Sequence, residues 1–322
     1  MIDPILPAVV DRLRSIGALE GATAERVTLG DATLMVELAG VESGTGAEAG
    51  TADVAGGSRG SHRTAGFAHR PPGNGRTADA LDESTDGVDV ETLVRWATRT
   101  PGGSSTETIG YPGTPRDGTL LERALGVAAI NALSAPFVDW NPGDPMALLD
   151  PAVDAITTVG LFRPAFRKFA DVDVRVIERT DVGSVSSPDG VSVTTFRPDA
   201  ASAAMADADV VFVTGSTFVY GGLEAYLEAA PAAATVVLIG ATASVLPGPA
   251  FAAGVDVVAG ASVTETERDR VREAVRAGAC GTDLHDAGVR KVYAVADRAT
   301  GPGQALKRVR NERPDRDDTT ND

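Results

Sequence analysis

Apolar residues open the chain at four-residue spacing, Ile5, Val9 and Leu13, a stripe that predicts one face of a helix. Residues 27–38 then turn β-rich on either side of Gly30-Asp31, which predicts a hairpin. A short strand over 64–69 and helices over 90–97 and 120–133 follow, the last with Leu121, Leu125, Ala128 and Ala132 on one face. Two polar stretches interrupt this series. Residues 40–63 are Gly, Ala, Ser, Thr and acids with hardly a large apolar side chain, so they cannot bury enough surface to order themselves and are expected to form a disordered insertion. The second stretch runs from Arg70-Pro71-Pro72-Gly73 to about residue 89.

Beyond residues 134–151, which contain Asn141-Pro142-Gly143 and Asp144-Pro145, the pattern changes. Short apolar runs at 155–159, 172–177, 210–213, 236–239 and 255–258 alternate with helical segments around 165–170, 200–206, 223–230 and 267–277. Continuous apolar strands between helices predict a parallel sheet covered on both faces. The expected organisation is α/β: an α+β domain at 1–135 with the insertion at about 40–63, a Rossmann-like doubly wound sheet at 150–298, and a polar tail at 299–322.

Charge narrows the function classes. Across 322 residues there are 45 acids against 29 basic residues, a net charge of −16, which repels phosphate backbones and anionic membrane surfaces; neither nucleic acid nor membrane is expected as a partner. Lysine occurs only at 168, 291 and 307 and small residues dominate, a halophile-like surface. With one cysteine, Cys280, no internal disulfide forms, and with His62, His69 and His285 alone no four-cysteine or two-cysteine, two-histidine zinc site can be built. No apolar run reaches the length of a membrane span and the first twelve residues do not read as a signal peptide, so a cytoplasmic protein is expected.

In open α/β sheets, ligands bind beyond the carboxyl ends of the strands. Three predicted strand ends carry an early glycine: Gly160-Leu161-Phe162-Arg163, Thr214-Gly215-Ser216-Thr217 and Gly240-Ala241-Thr242-Ala243-Ser244. Glycine permits close backbone approach to a ligand, and hydroxyls or amides there can hold a polar group; the plainer alternative is that they cap the following helices. The dinucleotide fingerprint fails, since Phe162 and Ala165 stand where glycines are needed. Glu178, at the next strand end, is placed to accept a ribose hydroxyl or to be a solvated acid; Arg163 suits an anionic group or the open surface. Asn131 is an amide in an apolar helix and either fixes neighbouring backbone or faces a ligand. His69 ends a strand near the expected interdomain cleft and, with Glu178 and Asp256, is a weak metal candidate, although scattered acids are not a ligand set. Thr214→Val or Gly215→Ala is expected to abolish ligand binding with little loss of stability.

Residues 122–132 (ERALGVAAINA), 158–166 (TVGLFRPAF), 211–223 (VFVTGSTFVYGGL) and 237–260, with GATASVLPGPAFAAGVDVVAG, together with Ala65-Gly66-Phe67-Ala68, resemble the putative heavy-metal chelation family. That family pairs a C-terminal domain of unknown function 364 with an N-terminal domain of unknown function 4213. The resemblance implies an enolase N-terminal-like α+β domain, a Rossmann-like domain and a site in the cleft between them. It carries over to Asn131, Gly160, Thr214, Gly215, Ser216, Thr217 and Gly240. The chain departs from the family pattern at Tyr220 and Gly222, and at Ala241-Thr242-Ala243, where Thr242 supplies the hydroxyl.

Three readings follow. The first is a protein binding a small polar ligand, a transition metal or a metal complex through the three strand-end loops. The second is an enzyme using a nucleotide-type cofactor, and the third is a non-catalytic interaction protein whose insertion recruits a partner. The sequence leaves open whether a reaction is catalysed and whether the chain forms a homo-oligomer.

Overall fold

The computed structural model describes residues 2–42, 61–72, 89–99, 117–150, 153–161, 171–183 and 185–297. The first helix, α1 (Ile5–Ser15), buries Ile5, Leu6, Val9, Val10 and Leu13, the expected stripe. Strands β1 (Thr23–Leu29), β2 (Thr33–Glu42) and β3 (Ser61–His69) form an antiparallel sheet in that order. Helix α2 (Val90–Thr98) is capped by Asp89, whose carboxylate accepts from the Thr92 amide at 2.6 Å. Helix α3 (Asp117–Ser134) lies against both, because glycine stands at each crossing. A side chain at Gly66 would collide with the α3 backbone at Ala128, and one at Gly126 with the α2 backbone at Leu93.

The second sheet has eight strands: β4 (Asn141–Pro142), β5 (Ala155–Val159), β6 (Val172–Ile177), β7 (Val191–Phe196), β8 (Val210–Thr214), β9 (Thr235–Ile239), β10 (Val257–Ser262) and β11 (Arg290–Val295). Their order is β4-β11-β10-β9-β8-β5-β6-β7. The six from β10 to β7 run parallel, with β11 antiparallel to β10 and β4 antiparallel to β11. The chain winds outward from β5 in one direction to β7 and in the other to β10, so the order reverses between β5 and β8. Among the described residues the connecting helices are α4 (Ala201–Met205), α5 (Thr217–Tyr220), α6 (Leu223–Ala229), α7 (Pro247–Ala252), α8 (Arg268–Arg276) and α9 (Thr282–Asp286).

Alternation along the strands assigns their two faces. Val159, Val211, Val213, Val236, Leu238 and Val258 join a core shared with α1, α2 and α3, so the two sheets are sewn together by one apolar cluster. Ile156, Phe212, Val237 and Val257 face the other way, under Met146, Leu148, Leu149 and Val153. A third cluster ties Met35 and Phe67 of the small sheet to Val271, Val275 and Leu284 of α8 and α9. Beside it Glu37, only 3% exposed, is gripped by Nε and Nη2 of the Arg272 guanidinium, each at 2.7 Å. The arginine satisfies both carboxylate oxygens, which is what makes that burial tolerable.

Several expectations change. The insertion is shorter than 40–63 at both ends, because Val41 pairs with His62 and Glu42 with Ser61 in the β2–β3 ladder. Backbone pairing here outweighs a composition poor in large side chains; residues 43–60 lie outside the described residues, as do the expected helix over 165–170 and the tail at 299–322. The segment at 134–151 is more than a connector, since it supplies edge strand β4. Strands β7 and β11 and helices α5, α7 and α9 were not expected, and β10 runs to Ser262 rather than ending at 258.

Candidate functional site

The carboxyl ends of β5, β8, β9 and β10 open onto a cavity of about 540 Å³. Thr158 and Leu161 from the β5 end, Phe212, Thr214 and Ser216 from β8, and Ile239, Gly240 and Thr242 from β9 form its floor. Thr33 and His69 of the small sheet, the Cys280–His285 segment packed beside that sheet, and Asp144, Met146 and Lys291 complete its walls. Two sheets, brought together by a common core, thus wall a single space.

Each loop is held by its own chemistry. Gly240 has φ +119°, open to glycine but strained for other residues, and it starts the short 3-10 turn Ala241–Ala243. Gly215 packs beneath that turn: an added Cβ would sit 2.6 Å from the Ala243 nitrogen and 2.9 Å from its Cβ. Asn131 reaches the same turn from α3, its Nδ2 donating to Phe67 O at 2.8 Å and Thr242 O at 3.1 Å. The Thr242 hydroxyl oxygen accepts from the His69 amide at 2.9 Å, which locks β3 to the β9 loop. On the β8 loop, Ser216 Oγ donates to Thr214 Oγ1 at 3.2 Å.

His69 links the cavity to a polar cluster behind it. Its Nε2 lies 2.9 Å from the Tyr220 hydroxyl, and the Arg179 guanidinium covers the Tyr220 ring at 3.5 Å from the centroid. Burial first, and the Arg179 charge second, hold the His69 pKa below its ordinary 6.5, so the imidazole is neutral at pH 7. Burial likewise raises the Tyr220 hydroxyl, against the opposing pull of Arg179. The cavity therefore meets a neutral hydrogen-bonding imidazole, not a fixed cation. Its one lysine, Lys291, is matched by Asp144 at 2.7 Å.

The structure sorts the sequence candidates. Thr214, Ser216, Gly240, Thr242 and His69 line the cavity together. Thr217 does not: it is buried, and its hydroxyl donates to Thr214 O at 2.7 Å, closing the first turn of α5. Gly160, with φ +96°, turns the chain behind the wall formed by Leu161. Glu178 lies off the cavity, its carboxylate accepting from the Leu161 amide at 2.9 Å and the Arg179 amide at 3.1 Å, so it braces the β5 loop. Asn131 fixes backbone, and Gly215 is a packing glycine; these two and Glu178 hold the site's frame. Asp256 accepts from the Val236 amide at 2.9 Å and is structural. Arg163 lies outside the described residues. Sequence reasoning missed Thr33, Phe212, Asp144 and Lys291, which arrive from other elements; the scarcity of lysine was the one signal that marked Lys291.

A bare heavy-metal ion is a poor fit to this donor set. All three histidines and the cysteine are described, and His69, His285 and Cys280 line the cavity. Yet among the described residues no three His, Cys, Asp or Glu side chains come together as a metal-binding group. His69 Nε2 is engaged with Tyr220, while His285 Nδ1 donates to Val289 O at 2.8 Å and so presents its Nε2 as the acceptor, a single donor that does not make a ligand set.

Two solved structures share the fold. A protein of unknown function from Pyrococcus horikoshii, of the DUF364 family, superposes with a TM-score of 0.62 at 18% identity, over 91% of this chain and 100% of its own. Another of the same family from Desulfitobacterium hafniense gives 0.60 at 14%, over 91% and 98%. No curated protein matches the chain. Residues 145–294, from the Pro145 turn through most of β11, match the model of the DUF364 family, described as "Putative heavy-metal chelation", and constitute its domain in this chain.

Proposed function

We propose that the chain binds a small polar organic ligand, or a metal already held in such a ligand's complex, in the cavity at the strand ends. The observation that carries this is the cavity itself: about 540 Å³, mostly apolar, with hydroxyl-bearing Thr214, Ser216 and Thr242 and a neutral His69 spaced around it. That is the build of an organic-ligand pocket, whose few polar groups orient the occupant. The family description of the 145–294 domain supports a tie to metals, and the dispersed donors favour metal arriving with its own chelator. This reading takes the large sheet as Rossmann-like and the N-terminal part as an enolase-like domain of type 4213, with the ligand between them.

Calorimetric titration with free Zn²⁺, Co²⁺ and Cu²⁺ separates the alternatives. The reading predicts no stoichiometric binding sensitive to Cys280→Ser or His285→Ala. Tight binding lost in either variant would establish a protein-chelated ion instead.

A further inference from the structure

The two ring nitrogens of His69 stand in different surroundings. Nε2 lies 2.9 Å from the hydroxyl of Tyr220, a residue that does not line the cavity although His69 does. Nδ1 has no hydrogen-bond partner among the described residues, yet it is not one of the side-chain atoms buried without a partner, so it stays open to solvent. The His69 amide does not occupy it either, since that amide donates to Thr242 Oγ1 at 2.9 Å. Nδ1 is therefore the ring atom that an occupant of the cavity can reach.

Which nitrogen carries the proton decides whether that occupant must accept or donate, and it follows from the bond made by the other nitrogen. A phenol O–H is a far stronger acid than the N–H of a neutral imidazole, so the bond is stronger with Tyr220 donating to Nε2 than with Nε2 donating to Tyr220. The Arg179 guanidinium, 3.5 Å over the centre of the Tyr220 ring, acts in the same direction: it draws electron density from the phenol, and its charge, which adds to burial in holding His69 neutral, favours a lone pair over an N–H at the nitrogen turned towards it. Tyr220 is half-buried, and among the described residues Nε2 is the one partner of its hydroxyl, so the reverse direction would leave the hydroxyl proton without an acceptor there.

Taking the cavity as an organic-ligand site, as proposed above, we infer that Arg179 and Tyr220 hold His69 in its Nδ1–H form, so that the cavity recognises its ligand by an uncharged carbonyl oxygen, as in a ketone or amide, that accepts from Nδ1. Arg179 and Tyr220 are positioning residues, acting through His69. A ligand whose polar group is only an N–H would set donor against donor. A carboxylate would enter a mostly apolar space where, among the described residues, the one lysine is already matched by Asp144 at 2.7 Å and no arginine lines the wall.

The test uses the whole protein isotope-labelled at its three histidines, with His69→Gln identifying the His69 signals in proton–nitrogen correlation spectra. At pH 7 the protein alone should carry the His69 proton on Nδ1. Tyr220→Phe, which keeps the ring, should move it to Nε2, the form that free histidine favours; exposed Arg179→Met should shift the balance the same way and serves if Tyr220→Phe does not fold. Millimolar acetophenone, which only accepts, should shift Nδ1 saturably, with aniline and benzoate each about tenfold weaker and acetophenone itself about tenfold weaker in Tyr220→Phe. An Nε2–H parent, or Nδ1–H retained in both variants, would overturn the inference, and since the tautomer is read without ligand, that failure is distinct from failure of the organic-ligand reading. No saturable shift with acetophenone, or aniline or benzoate binding as well as it does, would overturn the assignment of a carbonyl ligand.

Discussion

Gly215→Ala looks conservative and should not be. Gly215 lacks a positive φ, so alanine brings no backbone strain of its own; the difficulty is space. Its Cβ would lie 2.6 Å from Ala243 N, 2.9 Å from Ala243 Cβ and 2.9 Å from Thr242 C. Ordinary contact would require the turn at 241–243 to retreat by several tenths of an ångström. Asn131 holds that turn through Thr242 O at 3.1 Å and His69 holds it through Thr242 Oγ1 at 2.9 Å, so retreat stretches both bonds. Overpacking costs about 1–3 kcal/mol and a weakened hydrogen bond about 1 kcal/mol, which together give roughly 2–4 kcal/mol. At about 2–4 °C per kcal/mol for a chain approaching this size, thermal unfolding should fall by roughly 4–16 °C. The sequence alone suggested little loss of stability for this change; the packing reverses that. A midpoint within 1 °C of the parent would refute the reasoning, because it would mean that the turn yields freely.

Other substitutions separate frame from site. Thr214→Val removes only long hydrogen bonds from Ser216, at 3.2 and 3.4 Å, so chemical denaturation should show a loss under about 1 kcal/mol while ligand retention on purification drops. Arg272→Met strands the buried Glu37 carboxylate and should cost about 3–5 kcal/mol in the same assay. Asn131→Asp turns a donor into an acceptor among three carbonyls; its instability should deepen as pH rises above about 4, where the unfolded carboxyl ionises. The folded-state pKa of His69 is depressed, so the unfolded chain binds more protons as pH falls below about 6.5. The His69 contribution to stability is thus complete above that pH and is lost as pH drops through the folded value, a slope that calorimetry should find reduced in His69→Gln.

The parts of the fold that could be read from sequence are those where burial imposes a simple pattern. Ala155–Val159 and Val172–Ile177 are central strands, so their apolar runs stand out. Strand β7, Val191–Phe196, is an edge whose Ser and Thr residues face outward, and its polarity conceals it. Strand β4 is two residues long and exists only because β11 is there to pair with it. At the site, Thr214, Ser216, Gly240 and Thr242 were legible because strand ends in such sheets face ligands. The roles of Glu178 and Gly215 were not, and for Asn131 backbone fixing and ligand contact both stood open, since whether a residue touches ligand or braces a loop depends on which neighbour fills its hydrogen bonds. Asp144 and Lys291 are 147 positions apart and meet only through the fold.

The central claim, an organic occupant in place of a bare ion, is tested most directly by native mass spectrometry and elemental analysis on one sample, purified without chelator or affinity nickel. The account predicts an organic adduct released on denaturation, with any metal in fixed ratio to it and both reduced in Thr214→Val. A stoichiometric metal ion without an organic adduct, retained in Thr214→Val and lost in Cys280→Ser or His285→Ala, would contradict it.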